Sequence, residues 1–150
     1  MREIKFRAWE KTGGRMWYDV REIAFDYGEV IFKRGSEIED EIRKAGKHHC
    51  NSCDPEADIW AKMDEVELMV YTGFKDKNGQ EIYEGDIIQS QQDGCAEYVV
   101  GCVVYSSAAF MIKWYKEGDA ILSPFYNMNE KNMEVIGNLY EGGKKSGQRR

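Results

Sequence analysis

The feature that most constrains this chain is an alternation of apolar and charged residues in short segments broken by glycine turns. Ile4-Lys5-Phe6-Arg7-Ala8-Trp9 sets the pattern at once. Successive side chains on a strand point to opposite faces, so this period of two marks a half-buried strand and not a helix. Gly13-Gly14 reads as a turn, and the stretch from Arg15 to Val20 resumes with Met16, Trp17 and Tyr18, which predicts an N-terminal hairpin. Gly28 then leads into Val30-Ile31-Phe32, a third short strand.

Later in the chain the pattern returns. Leu68-Met69-Val70-Tyr71 is a strand candidate, and Lys77-Asn78-Gly79 is a strong turn signal because Asn and Gly both tolerate positive φ. Ile82-Tyr83 and Ile87-Ile88 flank a second turn at Glu84-Gly85-Asp86. Asp93-Gly94 precedes an apolar run from Ala96 to Tyr105, and Phe110, Ile112 and Trp114 alternate with Met111, Lys113 and Tyr115. Gly118-Asp119 leads to a piece around Ile121-Leu122, and Glu134 to Tyr140 closes the series. Five or six short strands separated by glycine turns predict a small barrel, since closing the sheet hides edges that short strands leave open to mispairing.

Residues 36–65 differ in character and read as a helical and loop insertion. Ser36 with Glu39 fits a capping box, Ile38 and Ile42 share a face, and Gly46 can end the helix. After the loop from His48 to Asp54, Pro55 can start a second helical turn through Lys62, with Ile59, Trp60 and Met63 inward. Residues 142–150 carry Lys144, Lys145, Arg149 and Arg150 without an acid, and read as a disordered basic tail.

Three blocks of residues resemble the YopX family of phage and prophage proteins. They are Arg2-Glu3-Ile4-Lys5-Phe6-Arg7-Ala8-Trp9 with Met16, the long run from Leu68 to Ile88 through Tyr71-Thr72-Gly73-Phe74-Lys75-Asp76, and Glu134-Val135-Ile136-Gly137-Asn138-Leu139-Tyr140-Glu141. The resemblance implies a phage or prophage origin and an SH3-like small barrel preceded by an N-terminal β region. It transfers no catalytic residue. The expected architecture is therefore mainly β with a small α insertion. One domain would span residues 1–141, with 1–35 as the N-terminal β region, 36–65 as the insertion and 66–141 as the barrel. The insertion matches none of the three blocks.

Net charge narrows the functions. At −6, the chain is poorly suited to broad binding of nucleic acid, where Lys and Arg on phosphate supply most of the affinity. No apolar run approaches the roughly 18–20 residues that span a bilayer, and the N-terminus is charged at once. The host cytoplasm is the expected compartment, with no membrane partner. There the four cysteines should be thiols or metal ligands.

The sharpest chemical signal is His48-His49-Cys50-x-x-Cys53. A Cys-x-x-Cys turn offers zinc two thiolates, either histidine a third ligand, and Cys95 or Cys102 a fourth. The opposing reading is an exposed polar loop with ordinary thiols, because a second closely spaced ligand pair is missing. Asp76-Lys77-Asn78-Gly79 and Glu84-Gly85-Asp86 place acids near glycines, but not at calcium-loop spacing. They read as hairpin turns with Asp and Asn bonding local N–H groups. No nucleotide-binding glycine loop or nucleophile elbow occurs, so no catalytic residue, enzyme activity or cofactor beyond the zinc candidate is expected.

Trp114, Tyr115, Phe125 and Tyr126, near Lys113 and Lys116, are the candidate partner surface. The expected function is a non-enzymatic accessory protein that binds a phage or host protein, or its own copies. A nucleic-acid-associated small-barrel module is the first alternative, disfavoured by net charge, and an enzyme of unrecognised type the second.

Overall fold

The computed structural model describes residues 3–18, 20–32, 59–91, 96–128 and 130–141. Among them the protein is mainly β, with twelve strands and three short 3-10 turns. The chain divides into two compact units, Lys5–Met69 and Val70–Arg150 with Met1–Ile4.

In the N-terminal unit, β1 (Phe6–Glu10) and β2 (Arg15–Trp17) form the expected hairpin, with Ala8 opposite Trp17. Its turn closes when Gly14 N–H donates to Glu10 O at 3.0 Å, with Gly14 at φ +62°. A second sheet has the order β3-β4-β5 from β3 (Val20–Ala24), β4 (Glu29–Phe32) and β5 (Ile59–Lys62). The core gathers Ala8, Trp17, Val30, Phe32, Ala61 and Val66, with Val20, Met63 and Leu68 against it.

Two expectations change here. The segment after Trp17 is not one continuous strand: the chain passes into β3, which belongs to a different sheet. A bulge between Val20 and Glu22 breaks the alternation there, which hides the strand from a period-two reading. Residues 59–62 were expected to be helical and are strand. Trp60 lies opposite Ile31 and Ala61 opposite Val30, so the ladder with β4 sets their conformation, and buried Ala61 next to exposed Lys62 shows the period of two. Next to them, Met63–Glu65 form a helical turn, of 3-10 type. The predicted Ser36 helix, the His48–Cys53 loop and the 142–150 tail lie outside the described residues.

The ten-residue strand β6 (Val66–Lys75) starts in the first unit and continues into the second, where it pairs with β7 (Glu81–Tyr83). The rest of the second unit is one antiparallel sheet in the order β11-β10-β9-β8-β12. Its strands are β8 (Asp86–Gln91), β9 (Tyr98–Ser106), β10 (Ala109–Lys116), β11 (Asp119–Pro124) and β12 (Glu134–Asn138). A four-stranded meander thus takes the last strand beside its first, after 3-10 turns at Phe125–Asn127 and Glu130–Asn132. This order is compatible with the SH3-like barrel expected. The core is Ile82, Ile88, Val103, Ile112, Phe125, Met128, Met133 and Val135.

Buried polar groups fix the loops of this unit. Asp76 Oδ1 accepts from the N–H groups of Asn78 (2.8 Å) and Gln80 (2.9 Å), and Oδ2 accepts from Val135 N–H (3.1 Å). Asp86 Oδ2 accepts from Tyr83 N–H at 2.8 Å, and Thr72 Oγ1 donates to Ile82 O at 2.8 Å. The acidic glycine turns are therefore hairpin turns whose carboxylates satisfy backbone donors, as such residues do in Asx-type turns.

Candidate functional site

The register of the five-stranded sheet assigns each residue to one of its two faces. Ile88, Val103 and Ile112 point into the core, and directly opposed residues share a face. The other face carries the row Leu122–Lys113–Cys102–Ile87 and the row Pro124–Met111–Val104. Val100 stands opposite Gln89, Tyr98 opposite Gln91, and Tyr115 opposite Ala120.

This outer face is apolar over most of its width. Tyr98 (57%), Val100 (52%), Tyr115 (65%) and Leu122 (46%) are exposed, while Ile87, Cys102, Val104, Met111 and Pro124 are half-buried. Its central charge is Lys113, whose Nζ lies 5.8 Å from the Tyr115 ring centroid, within cation–π range. At the margin, Glu134 is held by Lys77 at 2.6 Å. Gly101 lets β9 and β10 approach closely: a Cβ there would lie 2.6 Å from Ile112 Cγ2 and 2.7 Å from Lys113 O.

The four residues expected to form a partner surface do not share one. Tyr115 is on the outer face. Trp114, its neighbour on β10, points the opposite way, packs against the core and donates from Nε1 to Ser123 Oγ at 3.0 Å. Phe125 is a correction: it is 4% exposed and stacks on Phe74 at 5.0 Å, so it is core. Large aromatics fill the interior of a small sheet domain because few other side chains bury as much area. Tyr126 contributes backbone to a 3-10 turn, and its side chain lies outside the described part. The reading by residue type missed Tyr98, Val100, Val104, Met111 and Leu122. The available signal was the unbroken apolar run Tyr98-Val99-Val100-Gly101-Cys102-Val103-Val104-Tyr105, since a strand apolar on consecutive positions is apolar on both faces.

The zinc candidates His48, His49, Cys50 and Cys53 lie outside the described residues, as does Cys95. Cys102 is described: it sits on the outer face, where burial, then the Asp86 and Glu84 carboxylates, push its thiol up, against a smaller opposing effect of Lys113. A thiol held protonated is a poor nucleophile. Among the described residues no three or more His, Cys, Asp or Glu side chains gather as a metal site, and no helix is long and apolar enough to cross a membrane. Two further aromatics, Phe25 (77%) and Tyr27 (81%), stand exposed in the β3–β4 turn of the N-terminal unit.

Fold and surface together define a small mainly-β protein with an apolar sheet face. The YopX family, described as YopX protein, matches residues 5–144. The chain belongs to this family. Protein EF1440 from Enterococcus faecalis has a similar crystal structure, with 22% identity over 96% of this chain and 98% of that one, at a TM-score of 0.56. The crystal structure of protein yopX from Bacillus subtilis is similar at 18% identity, over 97% and 98% of the two chains, with a TM-score of 0.53. These likenesses show the fold. No curated protein matches the chain.

Proposed function

We propose that this chain is a phage- or prophage-encoded accessory protein of the host cytoplasm that binds another protein and is not an enzyme. The observation that carries this reading is the outer face of the five-stranded sheet. A chain with 32% charged residues leaves Tyr98, Val100, Tyr115 and Leu122 exposed on the one sheet face that carries Lys113. Contiguous exposed apolar surface of this kind is characteristic of protein interaction sites, and aromatic and Met residues are enriched at their centres. The complementary partner is a phage or host protein whose apolar surface carries a carboxylate to meet Lys113. Tyr115 with Lys113 also offers a base-stacking platform, which favours the nucleic-acid reading, but the net charge of −6 opposes it.

The test is capture from infected-cell lysate with and without nuclease, comparing wild type with Val100→Ser/Tyr115→Ser. Both substitutions lie on the outer face and leave the core untouched. The expected result is a specific protein retained after nuclease and captured about tenfold less by the double variant, the scale of losing central interface side chains. Equal capture by both proteins, or loss of all capture with nuclease, would overturn the reading.

A further inference from the structure

The five-stranded sheet ends in two different edges. On the β12 side, Val135 N–H is taken by Asp76 Oδ2 (3.1 Å) and Met133 O accepts from Lys77 N–H (2.9 Å). A bulge between Val135 and Gly137 further distorts that edge. On the β11 side, among the described residues, no strand lies beyond β11.

The turn geometry shows which groups face that open edge. Glu117 and Gly118 form a two-residue turn with φ of 52° and 92°, as a type I′ hairpin requires. Such a turn makes Lys116–Asp119 a hydrogen-bonded pair, and pairs alternate along an antiparallel ladder. Trp114–Ile121 and Ile112–Ser123 are then hydrogen-bonded pairs. Tyr115–Ala120, Lys113–Leu122 and Met111–Pro124 are not. Pro124, which has no N–H, falls on a pair where none is needed, which agrees with this phase. The N–H and C=O of Ala120 and Leu122, and the C=O of Pro124, therefore point away from β10.

Natural sheets protect such an edge with charge, proline, a bulge or a covering loop, and here Pro124 stands at the end of the strand, where it still offers its C=O. From Ala120 to Pro124 there is no charge, and the six β10–β11 pairs run without a register shift. We propose that β11 pairs antiparallel with β11 of a second copy of this chain, joining two five-stranded sheets across a two-fold axis at Leu122. The outward groups at 120, 122 and 124 are symmetric about Leu122, so a copy reads its own pattern. The two Leu122 residues exchange both hydrogen bonds, and each Ala120 N–H reaches Pro124 C=O of the other copy. Opposed residues share a face, so Leu122 packs on Leu122, and Ile121 faces Ser123. The two Asp119 carboxylates stand at opposite ends of the seam. Two chains of charge −6 thus meet through a neutral strip. An isologous contact of this kind closes as a dimer.

Sedimentation equilibrium of the full chain tests this directly. The expected mass is twice the 17.4 kDa of one chain. Ala120→Pro/Leu122→Pro removes both outward N–H groups and keeps every inward bond, so it should sediment as a folded single chain with an unchanged circular dichroism spectrum. Ala120→Lys, which places a like charge on each side of the seam, should also dissociate the dimer, and reads the interface should the double proline variant unfold. A single-chain mass for wild type at every concentration would overturn the proposal. So would a folded Ala120→Lys protein that stays dimeric. Val100→Ser/Tyr115→Ser lies off this edge and should remain dimeric, so failure of the partner-binding reading and failure of this one are separable.

Discussion

The two compact units are held in different ways. The N-terminal unit relies on aromatic packing: Trp17 and Phe32 meet edge to face at 4.2 Å, and both are nearly inaccessible to solvent. The buried Trp17 Nε1 has no hydrogen-bond partner among the described residues. The C-terminal unit also packs aromatics, Phe74 on Phe125 and Tyr71 against Tyr83, but its loops are tied to its core by buried polar side chains. Asp76 joins the β6–β7 turn to β12, Asp86 holds Tyr83 N–H, and Asn138 Oδ1 accepts from the N–H groups of Tyr140 and Glu141. Apolar packing sets a core without specifying loop paths, because it is non-directional. Hydrogen bonds to buried carboxylates specify a loop path, since each unmet donor would be costly.

Substitutions at three positions break or sharpen this contrast, in decreasing size of effect. Phe32→Ala should destabilise the N-terminal unit by about 4 kcal/mol, as for large aromatic truncations in a core. Hydrogen exchange in β4 and β5 should report it, and protection unchanged in those strands would show that the aromatic pair is not what holds them. Asp76→Ala should cost about 3 kcal/mol, because three backbone donors lose their acceptor, one of them the buried Val135 N–H. Denaturant unfolding measures this loss. Asp76→Asn should recover part of it, because the amide keeps an oxygen for the turn. If a loss below about 1 kcal/mol were found, the polar ties would be incidental to the fold. The smallest effect concerns a C-terminal turn that has neither a glycine nor an aspartate. Ser107 and Ala108 sit at φ 52° and 62° in the β9–β10 hairpin. A side chain in the left-handed region costs about 1–2 kcal/mol, so Ala108→Gly should raise stability by about 1 kcal/mol. The same readout in thermal unfolding would show no gain if neighbouring contacts already compensate the strain.

The C-terminal unit was the more legible in sequence, and the reason lies in its local signals. Asn78-Gly79 and Glu84-Gly85 mark turns through residues that accept positive φ, and both glycines lie at +81°. Asp76 acts chiefly within four residues of itself, so the turn is a property of the segment. The strand β10 follows from alternation. In the N-terminal unit the same reasoning failed at β3, where a bulge breaks the alternation, and at β5, where the strand exists because β4 pairs with it. Helical spacing of Ile59, Trp60 and Met63 was present in the sequence but was overridden by that ladder.

The partner surface was less legible still. Residue type pointed to Trp114, Tyr115, Phe125 and Tyr126, yet Trp114 and Phe125 are turned to the core. Aromatic identity states that a side chain has area to bury and says nothing about which side of a strand the core occupies. The apolar run in β9 did hold the information that a second face is apolar. Which of the two faces lies over the core depends on where the loops carry the other strands.

By itself, the sequence determined the strand-rich class, the glycine turns, the carboxylate-anchored loops and the membership in the YopX family. These depend on short-range spacing or on long matched blocks. Only the tertiary structure decided that residues 59–62 are strand, that Phe125 is interior, and that, among the described residues, β11 has no strand beyond it while β12 is met by Asp76 and Lys77. Each of those depends on a partner far away in the chain: Ile31 for Trp60, Phe74 for Phe125, Asp76 for Val135. Long-range pairing selects among conformations that local propensity leaves close in energy.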